Sequence, residues 1–315
     1  MLWNEALKRG ISVWEFRLTN LPRNIFIAEF VEGRRISYEG TPLPRHSADQ
    51  VSWMDDKALL KKNFLELGIP VAHGGSVMTK NGALALFYSL AQPVIVKPRS
   101  GSASRHTTLH ITDTDELTRA FIVAKQVSPA VIIEEELVGA VYRATVVDGK
   151  LVATLRRDQP HVIGDGVSTI LELVNEANRH PARSGPYFSK INLDESAINE
   201  LKWHDHILED ILPKGKRVTF HQKVNWSVGG TTADVTDLVH HDNVLLFEHV
   251  ALVLKAPIVG IDFIIEDIAK SWKEQKRCGV IECNSMPFFD NHHLPFDGKP
   301  RNVAGAIWDM IEKYK

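Results

Sequence analysis

Two cysteines in 315 residues, Cys278 and Cys283, exclude a disulfide framework and leave at most one pairing. No apolar run approaches the ~18 residues needed to span a bilayer. The N-terminal stretch MLWNEALKRG is amphipathic and charged, without the apolar core of a secretion signal. An excess of either charge is missing too: Lys and Arg number 37 against 39 Asp and Glu, a net charge of −2. That balance argues against nucleic acid or a membrane as the main partner. Repeats and low-complexity tracts are absent. What remains is a chain 44% hydrophobic and 24% charged, long enough to bury a large core. The expectation is a cytoplasmic protein acting on small molecules.

The pattern along the chain mixes hairpins with helices. NEALKRG reads as a short helix stopping at Gly10, followed by a strand at ISVWEF. NIFIAEFVEGRRISYEG alternates as a hairpin turning at Glu32–Gly33, and TPLPRHSAD is a connector. DDKALLKKNFLELG predicts a helix with Asp55 as its cap and Gly68 as its stop. Strands are expected at PVIVKP and AVIIEEEL, with a helix at TDELTRAFIVAKQ between them. AVYRATVVDGKLVATLRR predicts a hairpin turning at Asp148–Gly149. Helices follow at TILELVNEANRH and DNVLLFEHVALVL, strands at PIVGIDFIIEDI and RCGVIECN, and an amphipathic helix closes the chain. This is an α+β pattern, not a doubly wound parallel sheet.

Three groups of polar residues stand out. In GVIECN, residues i and i+2 share a strand face, so Val280, Glu282 and Asn284 are expected on one side. Asp262 sits among apolar neighbours in GIDFII in the same way, and a hairpin joining the two strands would bring Asp262, Glu282 and Asn284 together. Unpaired carboxylates there cost several kcal/mol each (~, after relaxation), and an all-oxygen set suits a hard cation such as Mg²⁺. The plain alternative is a pair of edge-strand acids facing solvent. The second group is Lys97 at the end of PVIVKP and Lys57 in the first turn of a helix, where the dipole disfavours a cation and a phosphate would compensate. Each could equally be a surface lysine. Third, NWSVGGTTADVTD offers backbone amides at Gly229–Gly230 with hydroxyls nearby, suited to an anion or simply to a glycine turn.

With these residues in view, the chain resembles the ATP-grasp ligases, most closely the ATP-grasp regions of cyanophycin synthetase and of bifunctional glutathione synthetase. The resemblance covers nearly the whole chain and rests on DDKALLKKNFLELGIPV, PVIVKPRSG, EEELVGAVYRATVVDGK, HVIGDGVSTILELVN, NWSVGGTTADVTDLVH, GIDFI and GVIECNSMP, in family order. It implies an α+β ATP-grasp fold of two subdomains gripping a nucleotide: a short N-terminal region 1–54, a small subdomain 55–138 and a large subdomain 139–315 carrying the metal site. The cofactors it implies are ATP and Mg²⁺, two ions with Mn²⁺ able to substitute. Asp262, Glu282 and Asn284 match the family's metal ligands. Lys57 and Lys97 match its phosphate-binding lysines, with Gly101 and Ser102 in the phosphate loop. Glu134, Glu136 and Leu137 fall on the hinge at the adenine edge. Arg143 matches a position near the acyl substrate, and His161, Asn225, Ser227, Gly229, Gly230 and His292 are further substrate-side candidates.

Three departures qualify the resemblance. The phosphate loop retains only Gly101, with Ser104 and His106 where glycines are common. Val141 replaces an acid that often contacts ribose, and the region before residue 55 is short for the family's first domain. The implied activity is an ATP-dependent, ADP-forming carboxylate–amine ligase working through an acyl phosphate, with Lys97 and Arg143 as its catalytic residues and an amino acid or small peptide as substrate. The chain would act alone, as a homo-oligomer, or beside a partner biosynthetic enzyme. The rival readings are a nucleotide-binding module without catalysis, or one active only with a partner enzyme. A zinc hydrolase, suggested by 14 histidines, lacks any metal-ligand spacing. Trp203, Trp226, Trp272 and Trp308 read as packing residues. Arg156, Arg157, His161 and Arg183 could line an anionic substrate or form an exposed basic face.

Overall fold

The polar residues singled out above reach their positions within a fold whose described residues form four antiparallel sheets. A computed structural model describes residues 1–17, 24–44, 52–99, 106–221, 224 and 226–314; Gly101, Ser102, Ser104 and Asn225 lie outside these. Helix α1 (Leu2–Lys8) leads into the strands β1 (Ser12–Glu15), β2 (Ile25–Glu29) and β3 (Arg35–Glu39), which pair in that order. The closing helix α9 (Val303–Lys313) packs back on this unit. Its Trp308 is fully buried beside Ala6, Ile11 and Phe30, and the indole N–H donates to the Leu2 carbonyl at 3.0 Å. The first and last elements thus share one core, to which Val147, Ala153 and Ile258 also belong.

Helix α2 (Lys57–Glu66) is capped by Asp56, one residue later than the expected Asp55, with the Asp56 carboxylate accepting from the Ala58 and Leu59 amides. Next come β4 (Gly74–Val77), α3 (Lys80–Ser89), β5 (Val94–Pro98), β6 (Thr108–Ile111), α4 (Thr114–Lys125) and β7 (Val131–Glu135). Their strands form a four-stranded sheet in the order β4-β7-β5-β6. In β5 the residues alternate between buried and half-buried, so Val94 and Val96 enter the core under α3 and α4 while Lys97 takes the other face.

The largest sheet contains β8 (Ala140–Val147), β9 (Lys150–Asp158), β12 (Thr231–Asp234), β13 (Ile258–Ile265) and β14 (Gly279–Asn284), in the order β12-β9-β8-β13-β14. The β8–β9 turn sits at Asp148–Gly149 as expected, both residues at positive φ (49° and 72°). Helix α7 (His241–Leu254) covers one face: Val259, Ile261, Phe263 and Ile265 of β13 meet Leu246, Phe247 and Val250. The intervening residues Gly260 and Asp262 therefore belong to the opposite face. Between β9 and β12 the chain forms a smaller unit from β10 (His161–Ile163), α5 (Ile170–Ala177), α6 (Glu195–Trp203) and β11 (Arg217–Thr219), with its own core around Val162, Ile170, Leu201 and Phe220. Helix α8 (Asp290–His293) follows β14.

The architecture is α+β, as the alternation of hairpins and helices predicts. One expectation about β14 is corrected. Asp262 stands opposite Glu282, but Phe263 stands opposite Val280, so Ile281 is an extra residue in a bulge. The bulge reverses the alternation, and Val280 joins the core with Phe263 instead of sharing the face of Glu282. Both cysteines are buried free thiols. Among the described residues no helix is long and apolar enough to cross a membrane.

Candidate functional site

The antiparallel register builds the acid group. Asp262 pairs with Glu282 on β14 and with Arg143 on β8; one step along, Gly260 pairs with Asn284 and Thr145. Two carboxylates directly opposite each other repel, and arginines from the neighbouring strands compensate. Arg143 grips Asp262 with both arms of its fork, Nε to Oδ1 at 2.5 Å and Nη2 to Oδ2 at 2.8 Å. Arg157, on β9 and diagonal to this row, reaches the same carboxylate through Nη1 at 3.4 and 3.2 Å. Its Nη2 donates to the Val224 carbonyl at 3.2 Å. Asp262 is only 4% exposed, whereas Glu282 is exposed.

Gly260 makes this arrangement possible. A Cβ there would lie 2.6 Å from Pro287 Cβ and 3.1 Å from Arg143 Nη1, so only glycine lets the chain after β14 close over the guanidinium. Behind Arg143, His292 is fully buried with Nε2 2.8 Å from the Thr145 hydroxyl. Burial first, and the nearby Arg143 charge second, push its pKa down to about 3. The ring is therefore neutral and backs the site from below. Its Nδ1 is buried without a hydrogen-bond partner.

A second charged group lies on the four-stranded sheet. Glu134, 5% exposed, is held between Lys61 of α2, at 2.9 Å, and Lys97 of β5. Burial raises its pKa, but the two ammonium groups outweigh that and hold it below the ordinary carboxylate value. The Glu134 carboxylate thus faces lysines, while the nearby Glu136 pairs with His110 at 2.9 Å. The Glu136 amide donates to the Pro93 carbonyl at 3.0 Å. Leu137 is buried, and two residues on Gly139 (φ +121°) turns the chain into β8. A Cβ at Gly139 would meet the Ile265 backbone at 2.2 Å, so this link between the sheets requires glycine.

The lysine group lies against β14. A cavity of about 20 Å³ is lined by Lys57, Lys61, Lys97 and Glu134 from one side and by Val280 and Ile281, beside Glu282, from the other. Burial lowers the Lys57 pKa, with Glu282 opposing that shift and Lys97 adding to it. Such a volume holds about one water molecule.

The remaining candidates are more dispersed. Ser227 is exposed in a turn of 3₁₀ helix (Trp226–Val228), and the Gly229 amide donates back to the Trp226 carbonyl at 3.2 Å, so that amide does not form an open nest. The Gly229 carbonyl and Ser189 carbonyl accept from the buried Arg183, and the Thr232 hydroxyl accepts from the Phe296 amide. Gly230 is buried beside them. His161 lies on β10 with Nδ1 2.8 Å from the Gln159 carbonyl, and burial lowers its pKa. Trp226 stacks on Phe288, Trp272 packs against the core under α7, and Trp203 is over half exposed beside His110. Paired histidines have local duties: His240 accepts from the Asp242 amide and His293 from the Ala304 amide. Sequence reasoning missed Lys61, although its i+4 spacing from Lys57 places both on one helix face, and it did not foresee Arg157 on Asp262.

Among the described residues no group of three or more His, Cys, Asp and Glu side chains could hold a metal. An ion at this site would rely on the carboxylates of Asp262 and Glu282, the Asn284 amide oxygen, and oxygens from water or a ligand. That donor chemistry fits Mg²⁺, which takes one or two carboxylates and completes its shell elsewhere. Asn284 Nδ2 is buried without a partner, an unmet demand worth ~1–3 kcal/mol in the place where a ligand shell would order the amide.

Comparison with known proteins finds related chains. Over 81% of its length the chain is 35% identical to cyanophycin synthetase of Trichormus variabilis, spanning 29% of that protein. It is 32% identical to the glutathione biosynthesis bifunctional protein GshAB of Streptococcus mutans, over 81% of the chain and 35% of that protein. A crystal structure of a bifunctional glutathione synthetase from Pasteurella multocida superposes with a TM-score of 0.70 at 24% identity, covering 99% of this chain and 42% of the other. The chain thus spans well under half the length of each of these relatives. No family model matches it.

Proposed function

The chain belongs to the ATP-grasp superfamily, as a relative of cyanophycin synthetases and bifunctional glutathione-biosynthesis proteins, and from that premise we propose that it is an ATP-dependent, ADP-forming carboxylate–amine ligase. The observation that carries this reading is the shared cleft: Lys57 of α2 and Lys97 of β5 line it together with Val280 and Ile281 of β14, the strand that bears Glu282 and Asn284.

In this reading Lys57 and Lys97 hold the terminal phosphates, and Lys61 keeps Glu134 in place so that Lys97 is aimed into the cleft. Asp262, Glu282 and Asn284 would hold magnesium, which would supply positive charge to offset that of the phosphates. Backbone groups of Glu136 and Leu137 meet the adenine edge. The γ-phosphoryl passes to a substrate carboxylate, an amine attacks the acyl phosphate, and phosphate leaves. Arg143 neutralises the charge on the acyl oxygen. The buried, neutral His292 is not the base for the amine. The substrate acid is an amino acid or small peptide, and the site works in the cytoplasm.

The test is phosphate and ADP release in a pooled screen of amino acids and small peptides, with mass detection of the coupled product. Replacing Glu282→Gln should lower turnover by roughly 10²-fold or more, on the scale of losing one group that stabilises transition-state charge. An unimpaired variant overturns the assignment. The grip of two arginines on Asp262 favours a second reading, a module that binds nucleotide without catalysis. Nucleotide binding with no product from any pool would select it.

A further inference from the structure

Asp262 has its acceptor positions filled. A carboxylate offers about four lone-pair sites, and four N–H contacts occupy them: Arg143 Nε and Nη2 at 2.5 and 2.8 Å, and Arg157 Nη1 at 3.4 and 3.2 Å. We propose that Arg157 is the resident counter-ion of Asp262 that a divalent cation displaces, and that its release readies the site for the substrate's carboxylate. The inference rests on the reading of Asp262, Glu282 and Asn284 as metal ligands and adds an order of events to it.

Geometry identifies Arg157 as the arginine that leaves. Arg143 holds both oxygens with a short, two-armed fork, lies on the adjacent strand and is 14% exposed. Arg157 reaches across from β9 with one nitrogen, at longer range, and its side chain is 27% exposed. It has a second anchor on the Val224 carbonyl, so it can let go of the carboxylate without swinging free. A dication beside Asp262 repels both guanidiniums, and the weaker contact yields first. Once Arg157 is released, it is a cation without a carboxylate partner, still anchored at the Val224 carbonyl. The fitting occupant is an anion with planar, two-oxygen geometry, which is a substrate carboxylate. Cation and acid therefore bind in that order, and Arg157 passes from counter-ion of Asp262 to binding residue for the acid.

The experiment is Mn²⁺ binding to the full chain without nucleotide, read as loss of the free-ion electron paramagnetic resonance signal. Wild type, Arg157→Gln, Arg157→Lys and Glu282→Gln are compared after thermal melts establish folding. Removing the competing guanidinium should tighten Mn²⁺ by roughly tenfold, equivalent to 1.4 kcal/mol; Arg157→Lys, which keeps the charge and loses the fork, should fall between it and wild type. Should Glu282→Gln weaken Mn²⁺ while Arg157→Gln leaves it unchanged or weaker, the metal site stands and the exchange is wrong. Should Glu282→Gln leave Mn²⁺ binding unaffected, or no variant bind Mn²⁺, the metal reading falls and the exchange falls with it.

Discussion

Glu134 and Asp262 are both buried carboxylates held between two cations, one on the four-stranded sheet and one on the five-stranded sheet. Around Glu134 the group is closed. Lys61 and Lys97 are 10% and 16% exposed, and the carboxylate fixes both ammoniums at one wall of the cleft. Around Asp262 the group has surplus members. A second carboxylate, Glu282, stands across the strand, the Asn284 amide nitrogen is unsatisfied, and Arg157 is half engaged with the Val224 carbonyl. The same motif of an acid between two cations thus serves two ends: the closed version fixes lysines in place, and the open version keeps a carboxylate ready for exchange.

That contrast breaks most directly through stability. Glu134→Gln leaves two buried ammoniums facing each other, and a buried pair that loses one member costs about 3–5 kcal/mol. Urea unfolding should show that loss. Asp262→Asn should cost less, about 1–2 kcal/mol, because the amide keeps an acceptor and Glu282 remains within electrostatic reach of Arg143. Equal losses in the two variants would mean that Asp262 is as structural as Glu134, and the exchange at Arg157 would lose its basis. The pH dependence sharpens the same point. Because the folded Glu134 pKa is below its ordinary value, its contribution is present above the unfolded carboxylate range and is lost as pH falls through the folded value. The acid limb of the stability curve should flatten in Glu134→Gln.

Much of the open group was legible in the sequence, because a strand's period of two and one hairpin suffice to bring Asp262 to Glu282 and Gly260 to Asn284. Lys97 was legible from its place at the end of PVIVKP. Val280 was not, since the bulge at Ile281 reverses the alternation and leaves no mark in residue type. The grip of Arg157 is diagonal across strands from separate hairpins, a relation that only the assembled sheet defines. The short strands β4, β6, β10, β11 and β12, three or four residues each, are too brief to carry a periodic signal. Helix α3 carries an apolar run, ALALFY, directly after Gly82, which does not separate helix from strand. Of the closed group only Lys61 escaped, because it looks like a surface residue until β7 is packed against its helix.

The smallest expected effect concerns a third acid, Glu136, which meets a single titratable partner. His110 donates to it from β6, and the imidazole of His110 lies 5.3 Å from the Trp203 ring on α6, so the pair sits where the four-stranded sheet meets the smaller unit. The hydrogen bond to Glu136 raises the His110 pKa against the opposing effect of burial, and the charge of Glu200 adds to the rise. A histidine whose folded pKa is raised stabilises the fold fully below its unfolded value, about 6.5, and that contribution is lost as pH rises through the folded value. With His110 41% exposed, solvent screening keeps the contribution below about 1 kcal/mol. Wild type should therefore melt slightly above His110→Gln at pH 5.5, with the difference vanishing by pH 9. A difference that persists at alkaline pH would assign His110 to packing on Trp203 instead of to charge.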